Sequence, residues 1–122
     1  MGVPYSIPLL ASAARTATVT REFSGLGARG IQVYIKSTAI ADSPSVVFTI
    51  DAFDAGSGAW YNLLTSLAVT DGATARRLII HPDATASANL IAKDFVVDRM
   101  RLVATHNDSD SITYSAGLTL LP

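Results

Sequence analysis

The sequence predicts an all-β chain: an antiparallel β-sandwich or jelly-roll-like fold of about seven to eight short strands, with an extended N-terminal arm. Three observations carry that prediction. Glu and Lys, which populate exposed helix faces, are nearly missing, with Glu22 the one glutamate and Lys36 and Lys93 the two lysines. Nine aspartates and two dozen Ser and Thr residues stand in their place, residues of turns and strand edges. Apolar and polar side chains alternate with period two over several short stretches, each ended by a turn signal.

Each element follows from its own pattern. Met1 to Pro8 contains two prolines, which fix φ and bias the preceding residue toward extended conformations. The domain reading is therefore an arm over 1–14 and one sandwich over 15–122. An apolar arm must be tied down, either to its own domain or to a neighbour. From Arg15 to Phe23, Ala17, Val19 and Phe23 alternate with Thr16, Thr18, Thr20 and Glu22, and Arg21 falls on the apolar side. Gly30 to Ala39 gives the clearest strand, with Ile31, Val33 and Ile35 on one face and Gln32, Tyr34 and Lys36 on the other. After Ala41-Asp42-Ser43-Pro44, Val46, Phe48, Ile50 and Ala52 face one way and Val47, Thr49, Asp51 and Phe53 the other, which predicts a strand covered on both faces.

Asp54 to Gly58 reads as a turn into a strand at Trp60 to Leu64. Asp71-Gly72 predicts a tight hairpin between Leu67–Thr70 and Ala73–His81, because glycine accepts positive φ. Pro82 to Asp94 lacks a period and reads as a long loop holding one helical turn around Ala88 to Lys93. A second hairpin is expected across Asn107 to Asp110, joining Asp98–His106 to Ser111–Leu121.

Composition excludes several function classes. The chain has 122 residues, 49% of them apolar and 16% charged, enough to collapse around one core and too apolar for disorder. Nine basic and ten acidic residues leave a net charge of −1, with no electrostatic footprint for nucleic acid or an anionic membrane. The absence of cysteine removes disulfides, thiolate metal sites and Cys nucleophiles together. No basic segment precedes the apolar run Val3 to Ala14, and prolines interrupt it, so a chain made and used in the cytoplasm is expected.

Candidate chemical motifs fail on their own requirements. Gly25-Leu26-Gly27-Ala28-Arg29-Gly30 spells a dinucleotide-binding pattern, but a strand follows it where the chemistry needs a helix N-terminus for pyrophosphate. His81 and His106 with Asp108 or Asp110 fall short of a defined third metal ligand. Asn107 to Asp110 lacks the glycine and terminal acid of a calcium loop. Asp51 and Asp54 read as a strand residue and a turn residue, and Gly56-Ser57-Gly58 lacks the rest of a nucleophile elbow. Trp60 and Tyr61 read as core residues or as a stacking platform for a sugar ligand, with the core favoured for a lone tryptophan. No catalytic, metal or cofactor set is expected.

Several segments together carry a resemblance: Leu9 to Thr18, Pro44 to Ile50, Asp54 with Ser57-Gly58 and Trp60-Tyr61, then Arg101, His106, Asp108 and Asp110 to Ser115. In these residues the chain resembles small virion structural proteins of tailed bacteriophages. The resemblance implies a non-enzymatic head decoration (cement) protein that stabilises the shell by binding at junctions between capsid subunits. It implies as partners the major capsid protein and further copies of itself, a homotrimer favoured, with neither nucleic acid nor membrane. It implies a place on the capsid surface of the virion, after assembly in the bacterial host cytoplasm. Under this reading the candidate contacts are Val3, Pro4, Tyr5, Ile7, Pro8, Leu9 and Leu10 of the arm, with Arg15, Arg21 and Arg29 meeting capsid acids. The other reading is a tail or fibre module that binds host glycan, or another virion protein, through Trp60 and Tyr61.

Overall fold

The computed structural model describes residues 5–122, and their side chains from Ser6 onward. Among the described residues nine strands form: β1 (Tyr5–Arg15), β2 (Val19–Ser24), β3 (Gly30–Ile40), β4 (Val46–Asp54), β5 (Ala59–Thr65), β6 (Ala75–Ile80), β7 (Ile91–Ala92), β8 (Arg99–His106) and β9 (Ile112–Leu121). They build a five-stranded sheet in the order β1-β9-β3-β6-β7 and a four-stranded sheet in the order β2-β8-β4-β5. Apart from the short parallel pair β6/β7, every ladder is antiparallel.

The connections define the architecture. With the two-residue β7 set aside, the chain changes sheet at every step except β4 to β5, which is a hairpin. Eight strands wound in this way make a jelly roll, the two-sheet solution that buries one face of each sheet against the other.

The period-two pattern places the core between the sheets. Ile31, Val33 and Ile35 of β3 and Leu78 and Ile80 of β6 come from the first sheet; Val46, Phe48 and Ile50 of β4 and Leu102 of β8 come from the second. Each is sealed from solvent, and burying one such side chain stabilises the fold by about 1.5–3 kcal/mol. Phe48 and Tyr114 join the two layers edge to face, with ring centroids 5.2 Å apart and planes at 89°.

Four local expectations are corrected. Asp71-Gly72 does not turn a hairpin, since β5 and β6 lie in different sheets and only Val69, bridged to Val46, is paired before the turn. Instead the Asp71 carboxylate accepts from the Ala73 N–H and the Thr74 hydroxyl, and Ser37 Oγ donates to the Asp71 carbonyl. Gly72 is needed there for closeness: a Cβ would come within 2.9 Å of the Ala39 backbone. Likewise β8 and β9 form no hairpin. Met100, Leu102 and Ala104 meet Ile112, Tyr114 and Leu118 in the core between the sheets, not along a ladder.

Over Ala88–Leu90 there is one hydrogen-bonded turn and no helix. Asn89 adopts φ 65°, which stops helical propagation, and Ile91–Ala92 pair with β6. Finally, the alternating stretch over 15–23 is not one strand. The chain breaks at 16–18, where it leaves the first sheet for the second.

Residues 5–15 run extended as β1, the edge of the first sheet, paired to β9 from Tyr5↔Leu120 to Arg15↔Ile112. The expected division after residue 14 thus falls inside a strand of the sandwich. Pro8 sits on this edge, where the lost N–H is tolerated, and register shifts follow at Pro8/Leu10 and Leu10/Ala13.

Candidate interaction surfaces

The outward face of the second sheet carries the densest side-chain cluster. Ladder pairing aligns Glu22, Arg101, Asp51 and Asn62 across β2, β8, β4 and β5, with Phe53 opposite Trp60 and Ser24 opposite Arg99. Arg101 Nε donates to Asp51 at 2.8 Å, and Asn62 Nδ2 donates to the same carboxylate at 3.2 Å. Arg99 Nε donates to Glu22 at 2.8 Å. This hydrogen bond holds the Glu22 carboxyl below its usual value and raises the Arg99 guanidinium.

The two guanidinium groups also cover the aromatic pair. Phe53 and Trp60 meet at 5.1 Å and 61°; Arg99 lies 4.2 Å from the Phe53 centroid and Arg101 lies 4.5 Å from the Trp60 centroid. Trp60 is therefore outside the core, half-buried under arginine, which corrects the preferred expectation for it. Its ring stacks with charge because β5 is the sheet edge and, among the described residues, no third layer covers that face. Tyr61 is 47% exposed on the same edge strand. Sequence reading missed Arg99 as a member of the cluster. The available signal was Arg99 and Arg101 two residues apart on a strand, hence on one face, with Phe53 read on the face of its own strand opposite Phe48 and Ile50.

One end of the sandwich presents the most exposed apolar side chains. Leu26, in the loop between β2 and β3, is 78% exposed, and Phe95, in the segment between β7 and β8, is 72% exposed. The Gly25 N–H donates to the Asp98 carbonyl and binds these two loops together. A Cβ on Gly25 would meet the Val97 carbonyl at 2.3 Å, so glycine permits this approach. Arg29 and Asp83 pair at 2.5 Å beside them; the Arg29 hydrogen bond holds the Asp83 carboxyl below its usual value. The Gly25-to-Gly30 motif is thus a β2–β3 connection with Gly27 at φ 82°.

The outward face of the first sheet is concave around Gly117. Ser6, Pro8, Tyr34 and Thr119 border a depression of about 360 Å³ whose floor is the missing side chain of Gly117.

The expected contact residues are distributed as follows. Val3 and Pro4 lie outside the described residues, and Tyr5 is described only through its backbone pairing with Leu120. Leu10 is core, Ile7 and Leu9 pack against the core, and Pro8 is exposed. Arg15 is engaged within the chain, donating to the carbonyls of Ala11, Ala13 and Tyr114 at 2.6, 3.2 and 2.6 Å. It satisfies acceptors left by the irregular end of β1. Arg29 is paired with Asp83, whereas the exposed Arg21 donates to its neighbour's carbonyl, Thr20 O.

His81 Nδ1 accepts the Asp83 N–H, and His106 Nε2 lies 2.9 Å from the Tyr114 hydroxyl. Asp54 closes its own turn on the Gly56 and Ser57 N–H groups and the Ser57 hydroxyl, and the last of these most strongly lowers its carboxyl. Asp108 and Asp110 close the loop before β9, through the Asp110 and Ser43 N–H groups. Among the described residues no three His, Asp or Glu side chains come together as a metal site. No helix among them is long and apolar enough to cross a membrane.

No family model matches the chain, and no curated protein matches it. Among solved structures it is similar to a chain from the structure of infectious bursal disease virus Gx strain, with a TM-score of 0.46 and 15% identity. The match covers 96% of this chain and 31% of that one, so this chain spans less than a third of its neighbour's length.

Proposed function

We propose that this chain is a non-enzymatic structural protein of a tailed-phage virion that decorates the head at junctions between capsid subunits. It works as a homotrimer around a local symmetry axis, on the outer surface of the shell, after assembly in the bacterial host cytoplasm. The observation that carries this reading is how the chain spends its polar groups. Arg15, Arg29, Arg99 and Arg101 are bound within the molecule, while Leu26 and Phe95 stand exposed on two loops that are tied to each other. Such a surface recognises protein by shape and apolar contact, and many modest contacts add when copies are held on a repeating shell. The partner is the major capsid protein; the contact set joins Leu26 and Phe95 to the exposed residues of β1 near the start of the chain, Ser6 and Pro8.

The test uses capsids that lack this protein, mixed with the purified full chain and analysed for occupancy. The wild type is expected to saturate the shell. Leu26→Asp with Phe95→Asp is expected to lower affinity at least about tenfold, one order per 1.4 kcal/mol, with an unchanged melting temperature. Unaltered binding by this variant would remove the loop end from the contact set, and no binding by the wild type would overturn the reading.

The glycan-binding alternative is favoured by one observation, the placement of Trp60 outside the core. Trp60→Ala that abolishes glycan binding while the domain stays folded would support it.

A further inference from the structure

His106 ends β8, where the chain leaves the second sheet for the first. Its backbone N–H donates to Thr18 Oγ1 at 3.1 Å, and its Nε2 lies 2.9 Å from the hydroxyl of the core residue Tyr114. The other ring nitrogen, Nδ1, is sealed from solvent and has no hydrogen-bond partner among the described residues. Behind the tyrosine, the Arg15 guanidinium lies 4.8 Å from the ring centroid while it donates to the carbonyls of Ala11 in β1 and Tyr114 in β9. The imidazole, the phenol and the guanidinium therefore tie together β8, β9 and β1.

Two charged groups act on this imidazole: Arg15 from β1 and Asp108 from the loop that follows β8. The other packed elements contribute uncharged or weakly acidic groups, Val46 of β4 as the ladder partner and Tyr114 of β9. Asp110, farther along the loop, is turned to the Ser43 N–H. A neutral ring fits this setting, because Nε2 serves the Tyr114 hydroxyl and Nδ1 need carry only a lone pair. A protonated ring does not fit. Its Nδ1–H would be a buried donor without an acceptor, and a second cation would join Arg15.

We propose that His106 is an acid-sensitive latch: neutral, it fastens the crossing from β8 to β9 and the end of β1, and its protonation releases them while the rest of the sandwich stays folded. Burial holds the imidazole below its usual 6.5; Asp108 opposes that shift and Arg15 reinforces it. Because the folded-state value is depressed, the latch's stability is fully present above 6.5 and is lost as pH falls through the lowered value.

Imidazole NMR on the full chain, with amide hydrogen exchange from neutral pH downward, tests this. The His106 midpoint is expected below 6.5. Between 6.5 and that midpoint, protection at Ala13–Arg15 and His106–Ile112 is expected to fall about tenfold per pH unit and to level off below it, while Ile31–Ile35 keep theirs. His106→Gln, which can still donate to Tyr114 but cannot titrate, is expected to flatten the dependence. A midpoint at or above 6.5, or an undiminished pH dependence in His106→Gln, would overturn the latch, as would acid opening that spreads through Ile31–Ile35. Should His106→Gln not fold, the wild-type midpoint and exchange pattern decide alone.

Discussion

Two glycines with opposite surroundings show how single residues shape this molecule. At Gly25 a Cβ would strike the Val97 carbonyl at 2.3 Å and Val96 Cγ1 at 2.4 Å, in the place where two loops are drawn together. At Gly117 nothing lies within 4 Å of a Cβ, and the residue sits in the ladder of β9. Gly25→Ala is therefore expected to destabilise by about 1–3 kcal/mol through overpacking. Gly117→Ala is expected to stabilise by about 0.4–1 kcal/mol, since alanine restricts the unfolded chain without a clash. Urea denaturation of both variants checks the pair; equal effects would contradict the assignment of Gly25 as a close-approach residue. Neither role was legible in the sequence, where Gly25 opens a glycine pattern that fails as a phosphate loop and reads as a connection between strands. Spacing reports which residues are glycine, but not what approaches them.

Strands were largely legible because inward and outward residues alternate. The inward sets of β3 and β4 follow the pattern read from sequence, and Asp51 and Phe53 lie on the expected opposite face of β4. Partners were not legible. A turn such as Asp71-Gly72 or Asn107 to Asp110 can join two strands of one ladder or carry the chain between sheets. Only the packing of both apolar faces into one core decides between them. The outward ladder of the second sheet illustrates what a correct partner adds. Asp51 is 8% exposed and depends on Arg101 and Asn62 for its hydrogen bonds. Arg101→Met is expected to cost about 1–3 kcal/mol, because it leaves a mostly buried carboxylate underpaired. The double variant Arg101→Met with Asp51→Leu is expected to recover part of that loss, since an apolar pair carries no desolvation penalty. A double variant less stable than the single one would contradict that account.

At the scale of the whole molecule, the class of fold was readable, while the choice between a plain sandwich and a jelly roll was not. Low charge, scarce Glu and Lys, and short alternating runs indicate a sandwich. The jelly roll emerges from the order in which strands change sheets. This fold hosts unrelated functions, so the role must rest on surfaces. Those surfaces are an apolar loop end at Leu26 and Phe95, a self-paired charged face around Arg99 and Arg101, and a shallow depression over Gly117. The proposed decoration role draws on the first of them, the loop end. The most direct measurement is a reconstruction of the intact particle that contains this chain, with its copy number counted. The account predicts trimeric density on the outside of the head at every equivalent junction between capsid subunits, with a copy number to match. A handful of copies confined to the tail, or none on the head, would contradict it.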